Sequence, residues 1–130
     1  MNDSFQNKVI LITGASSGLG KTFTDFFLKK GANVAVCSRR NSFKSKFYKK
    51  NQNFYFHKFD LSNLNKTSRL IEKFPKKFKK IDVLINNAGV AIPQKIEKLN
   101  YKDLLYTFNV NFFAPSILTK EVLKIMKKRN

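Results

Sequence analysis

Thr13-Gly14-Ala15-Ser16-Ser17-Gly18-Leu19-Gly20 is the stretch that decides the fold. An apolar run, Lys8-Val9-Ile10-Leu11-Ile12-Thr13, leads into it. Leu19, Phe23, Phe26 and Phe27 follow at helical spacing, and Gly31 supplies the helix stop. An apolar run without polar alternation predicts a strand buried on both faces, the habit of parallel sheets. Glycines at the handover from strand to helix let backbone amides approach a phosphate group, while the positive helix end faces the same spot. Gly14 permits the tight turn, Gly18 the close approach, and Gly20 the packing of helix on strand. The T-G-x-x-x-G-x-G spacing departs from G-x-G-x-x-G. Taken alone, such a turn also occurs in strand–helix links that bind nothing.

Moving outward, residues 33–38, 54–59 and 81–86 read as three more strands. The alternating aromatic and polar residues of 54–59 suit a strand near a sheet edge. Ser42 to Lys50 reads as a short basic helix. Leu61-Ser62-Asn63 caps another running to about Phe74, where Pro75 blocks it. Asn100 caps a long helix through Tyr101, Leu104, Leu105, Phe108 and Phe112 toward Met126, with Pro115 set to kink or divide it. Strand and helix alternate with short links, which predicts an α/β fold: a Rossmann-like, doubly wound parallel sheet of order 3-2-1-4. Residues 1–130 read as one domain without repeats or linkers.

At 130 residues, 42% of them hydrophobic, the chain can bury a core. No apolar run approaches the roughly 20 residues of a membrane span. The opening Met1-Asn2-Asp3-Ser4-Phe5-Gln6-Asn7-Lys8 lacks a signal layout, which predicts a cytoplasmic protein. Cys37, the sole cysteine, falls in a strand and reads as a small buried apolar residue. His57, the sole histidine, has no companion at metal or triad spacing and reads as packed or half-exposed; no metal is expected.

The charge is lopsided, with 26 Lys+Arg against 8 Asp+Glu and a net +18. Such an excess can serve nucleic acid or an acidic partner. The pairs Lys29-Lys30, Lys49-Lys50, Lys76-Lys77, Lys79-Lys80 and Lys127-Lys128 instead fall near helix C-termini or just before a strand, opposite the glycine turn. Lysine there complements the helix dipole, which argues against a nucleic-acid partner. Lysine, asparagine, phenylalanine and isoleucine also share A/T-rich codons, a compositional source of the same excess.

A second motif, Asn86-Asn87-Ala88-Gly89, closes the fourth strand. With the glycine turn in this element order, the chain resembles the short-chain dehydrogenase/reductase family from Lys8 to Met126. The resemblance implies an oxidoreductase that moves hydride between a nicotinamide dinucleotide and a small carbonyl or alcohol. It implies cofactor contacts from Gly14, Ser16, Ser17, Gly18, Leu19 and Gly20, and from Asn87, Ala88 and Gly89. Asp60 and Leu61 would face the adenine, although Asp60 also suits a plain helix N-terminus. Asn87 matches an asparagine that touches the cofactor ribose and ties neighbouring strands. Asn111, in Asn109-Val110-Asn111-Phe112, matches the family's catalytic asparagine, which sits at a helix irregularity and holds a water; otherwise it reads as a solvent-facing polar position. An acid after the second strand would select NAD by binding both ribose hydroxyls. Ser38 and Arg39 stand there instead, and they suit a 2′-phosphate, favouring NADP over NAD.

The family's general acid or base is a tyrosine followed four residues later by a lysine that lowers its pKa from about 10. Four residues after Tyr48, Tyr55, Tyr101 and Tyr106 stand Gln52, Phe59, Leu105 and Val110. The resemblance therefore implies an N-terminal portion lacking the catalytic serine, tyrosine and lysine and the later strands. Its fourth strand would be an open apolar edge, and the chain alone would not turn over. The competing reading is a non-catalytic half-fold that binds a dinucleotide or polyanion. The family's long helix commonly contributes to a dimer interface, so the resemblance implies that a homo-oligomer is possible in a completed protein.

Overall fold

The computed structural model describes residues 5–128, so the first four residues of the opening segment lie outside it. Its strands are Val9–Thr13 (β1), Asn33–Ser38 (β2), Phe54–Lys58 (β3) and Val83–Ile85 (β4). All pairings are parallel and the order is β3-β2-β1-β4, as the alternation of elements predicts. Ile10 lies opposite both Val34 and Val83. Asp82 fixes that register, its backbone donating to Val9 O and its carboxylate accepting from Val9 N, each at 2.8 Å.

Successive side chains of β1 point to opposite faces, and both faces are covered. Val9 and Leu11 pack with Ala35, Cys37, Ile81, Leu118 and Val122. Ile10 and Ile12 pack with Val34, Val36, Phe27, Leu28 and Tyr48. This two-sided burial explains the uninterrupted apolar run. β4 is only half-buried, since among the described residues it pairs with β1 alone.

Helix α1 spans Gly18–Lys29. Helix α2 spans Lys46–Lys50 and starts later than the sequence suggests. Ahead of it, the Asn41 side chain accepts from Phe43 N at 3.0 Å, holding a turn that drops the Phe43 ring between Tyr48, Phe54 and Phe56. Tyr48 then latches α2 to α1. Its hydroxyl donates to Asp25 and accepts from Lys21 Nζ at 2.9 Å. Burial, and then the Asp25 carboxylate, hold this tyrosine above its usual pKa.

The helix expected from Asn63 to Phe74 is broken. Asn63 does cap helix α3, Leu64–Thr67, but the chain then tightens into a 3-10 turn at Leu70–Lys73. Thr67 returns its hydroxyl to Asn63 O at 3.0 Å, competing with regular helix, and the tighter turn buries Leu70 and Ile71. The long C-terminal helix is also divided. Helix α4 is Tyr101–Phe108, capped by Asn100; a π turn covers Asn109–Phe113; helix α5 is Ala114–Lys127. Pro115 falls in the first turn of α5, where a missing N–H is tolerated, so the interruption lies in the π turn just before it.

Candidate functional site

The order β3-β2-β1-β4 reverses the direction of winding between β1 and β4, and a crevice opens beyond their C-terminal ends, where such sheets take ligands. A cavity of about 280 Å³ lies there. It gathers Gly14, Ser16 and Ser17 from the first turn, Ser38 and Arg39 from the end of β2, Asp60 and Leu61 from beyond β3, and Asn87, Ala88 and Gly89 from beyond β4. Arg40, Phe59 and Val90 complete its wall. Gly18, Leu19, Gly20 and Asn111 are not part of the wall.

Gly14 adopts φ +66°, and a Cβ on it would stand 2.6 Å from Ala88 Cα. Two backbone segments thus touch, a contact only glycine allows. Gly20 is buried beneath the same junction, its missing Cβ position lying 2.5 Å from Asn87 Nδ2 and 2.6 Å from Gly14 O. The atoms nearest that position belong to the glycine turn and to Asn87. Gly18 has φ +53° and nothing within 4 Å of the same position, so its surroundings are open. Leu19 is exposed at the start of α1.

Thr13 and Asn87 bind the two motifs together. The Thr13 hydroxyl accepts from Asn87 N and Ala88 N, each at 3.1 Å, and faces Ile85 O at 3.5 Å. The Asn87 amide donates to Thr13 O and Gly14 O, also at 3.1 Å. The strand-tying role implied for Asn87 is visible in these bonds. The tying role of Thr13 carries no signal in the sequence and shows only in its bonds to the residues just after β4.

The N-terminus of α1 points at this junction with little to neutralise it. Ser17, at its N-cap, makes no side-chain capping bond, and no acid occupies the first turn. The leading amides of such a helix carry partial positive charge and form an anion site. On the β2 side, the Ser38 hydroxyl donates to Arg40 O at 2.6 Å and shapes the turn that presents Arg39. Arg39 is exposed and donates to the Tyr106 hydroxyl of α4. Asp60 is exposed and accepts from Ser62 N at 2.9 Å, so its carboxylate also serves the local turn.

Asn111 sits in the π turn and clasps the loop after β4. Its Oδ1 accepts from Val90 N and its Nδ2 donates to Val90 O, both at 2.8 Å. It stands behind the crevice wall, bonded to Val90 and beside Gly89, where an added Cβ would lie 3.7 Å from Asn111 Oδ1. Cys37 is buried, and desolvation pushes its thiol up to about 12, which keeps it protonated and inert. His57 stacks between Tyr55 and Phe59 on β3. Among the described residues, no group of three or more His, Cys, Asp or Glu could hold a metal, and no helix is long and apolar enough to cross a membrane.

A parallel sheet with a glycine turn at its switch point defines a Rossmann-like α/β protein. Within that class the chain belongs to the short-chain dehydrogenase family, whose sequence profile matches residues 8–130. It is 39% identical over 131 residues to an NADP-dependent 3-hydroxy acid dehydrogenase of Schizosaccharomyces pombe, covering 95% of this chain and 50% of that protein. A closed serine dehydrogenase complexed with NADP+ superposes with a TM-score of 0.82 at 27% identity, over 93% of this chain and 50% of that one. A Leptospira borgpetersenii short chain dehydrogenase with bound NAD+ superposes with a TM-score of 0.86 at 23% identity, over 98% of this chain and 49% of that one, and shares the fold. The chain spans about half the length of the curated relatives it matches.

Proposed function

We propose that these residues form the adenosine and pyrophosphate half of an NADP site, in an oxidoreductase acting on a small carbonyl or alcohol. The observation that carries this is the uncapped α1 N-terminus at the Gly14–Ala88 junction, with Arg39 across the same crevice. The pyrophosphate fits over Gly18, where a Cβ would meet only open space. A cavity near 280 Å³ is at the small end of ligand sites, roughly 300–1,000 Å³, and suits the adenosine end alone. Arg39 and Ser38 stand where NAD-selecting enzymes of this fold carry an acid, and a guanidinium there binds a 2′-phosphate. The dinucleotide, when bound, supplies hydride exchange at its nicotinamide. The chain's residues bind and orient it: the α1 amides hold phosphate charge, Leu61 and Asp60 flank the adenine, and Asn87 sets the width of the crevice. Asn111 anchors Val90 and leaves the proton-transfer tyrosine and lysine to be provided from elsewhere, since no Tyr-x-x-x-Lys occurs in these residues. We place the protein in the cytoplasm, in keeping with its lone buried thiol.

Titrating NADPH and NADH into the chain, by the fluorescence of the reduced nicotinamide, tests this. NADPH should bind more tightly. Arg39→Ala should weaken NADPH by about 1.5–3 kcal/mol, the range for a hydrogen bond to a charged group, and leave NADH nearly unchanged. Equal losses for both would sink the NADP assignment. No ketone or aldehyde should be reduced at rates near 1 per second or above, the ordinary lower range of enzymes. Turnover at such rates would show that proton transfer does not need the missing pair.

A further inference from the structure

Arg39, in the crevice wall, makes a contact that neither motif contains. Arg39 Nη1 donates to the Tyr106 hydroxyl at 2.5 Å, joining the turn after β2 to α4. Arg39 is exposed, Tyr106 is half-buried, and α4 buries none of its residues fully. Nothing in the packing of either side chain would therefore fix the guanidinium if this bond were absent. An arginine left to itself samples many rotamers, and ordering it around a ligand costs affinity. The acceptor chosen matters as much as the bond. A phenol is neutral, so Arg39 keeps its positive charge and its remaining N–H donors for an incoming anion. A carboxylate at the same place would hold the arginine equally well and cancel the charge.

We propose that Tyr106 is a positioning residue that presets Arg39 for the anionic group at the ribose end of the crevice, and so sets the coenzyme preference. This rests on reading the crevice as an NADP site. Tyr106 has no lysine four residues on, and its hydroxyl acts by geometry rather than by proton transfer. It lies 67 residues from Arg39, so only the fold brings the two together.

The test is a cycle of Tyr106→Phe, Arg39→Ala and the double variant, each titrated with NADPH and with NADH. Tyr106→Phe should weaken NADPH about 3- to 10-fold, the effect of ordering one rotamer-rich side chain at binding. NADH affinity should stay within about twofold, which doubles as the check that the fold is intact. In the Arg39→Ala background, Tyr106→Phe should change neither ligand further. An unchanged NADPH-to-NADH ratio in Tyr106→Phe, when the unaltered chain prefers NADPH, overturns the positioning role alone. Equal weakening of both ligands also overturns it, since the hydroxyl would then support the crevice as a whole. A chain that shows no NADPH preference before substitution overturns the underlying NADP reading instead.

Discussion

Gly14→Ala isolates the contact on which the crevice is built. At φ +66° an L-residue is strained, by about 1–2 kcal/mol. The new methyl would also stand 2.6 Å from Ala88 Cα and 2.9 Å from Ala88 N. Neither neighbour yields easily, because Ala88 N is tied to the Thr13 hydroxyl at 3.1 Å. Forcing a methyl into such a place costs about 1–3 kcal/mol. The sum is about 2–5 kcal/mol, a large part of the roughly 5–15 kcal/mol that holds a domain folded. Gly18→Ala is the control. It carries similar backbone strain at φ +53° but meets nothing within 4 Å, so only about 1–2 kcal/mol should be lost. Urea unfolding followed by far-UV circular dichroism measures both. The difference between the two variants, about 1–3 kcal/mol, is the share due to Ala88. Nucleotide titration should separate them further, since the open space beside Gly18 is where the proposed pyrophosphate would lie, and a methyl there should weaken binding beyond its stability cost. If Gly14→Ala is no more destabilising than Gly18→Ala, the Gly14–Ala88 junction is not a fixed contact and this reasoning fails.

Other expectations follow from single groups. Burial raises Cys37 from its ordinary 9.0 to about 12, so above pH 9 the unfolded chain loses a proton that the folded chain keeps. Stability from this source is full below that point and falls by about 1.4 kcal/mol per pH unit as pH climbs toward 12. Tyr48 and Tyr55, also raised by burial, add to the loss at higher pH; urea midpoints should fall less steeply in Cys37→Ala, and parallel profiles would refute the assignment. Tyr48→Phe should cost about 1–2 kcal/mol in thermal unfolding, below the full value for a charged acceptor because Lys21 and Asp25 are each more than a third exposed. A loss too small to measure would mean that α2 is held by Phe43 packing alone. Asn111→Ala should cost about 0.5–1.5 kcal/mol and speed amide exchange at Val90, whose N–H it releases. Unchanged exchange there would show that the loop after β4 is held by other contacts.

Much of the fold was legible because its signals are local. The run Val9–Thr13 is apolar without interruption since both faces of β1 are covered, and that burial is written directly in the sequence. The glycine turn and Asn87-Ala88-Gly89 were readable as motifs, and the structure brings them into contact. Boundaries fared worse where tertiary packing overrode propensity. Residues 42–45 gave up helix to seat Phe43, and the stretch after Thr67 tightened to bury Leu70 and Ile71. The helix is divided next to Pro115, as that residue predicts, with the change of winding just before it. The roles of Thr13 and Tyr106 are not legible in the sequence, because hydrogen bonds across 74 and 67 residues leave no pattern in the chain.

The widened turn at Asn109–Phe113 has a consequence for how this helix can vary in length. A π turn takes up one residue more than the α-helix it interrupts, without rotating the helix on either side. Val110, Ala114, Leu118 and Val122 are all buried, so the buried face carries on from the turn into α5. A chain shortened by one residue here could close into regular helix and still lay Leu118 and Val122 on the sheet. What it would forfeit is the asparagine that reaches out to Val90. Within these five residues the buried Val110 faces the core while Asn111 anchors the crevice loop, so one irregular turn carries both a docking and an anchoring contact.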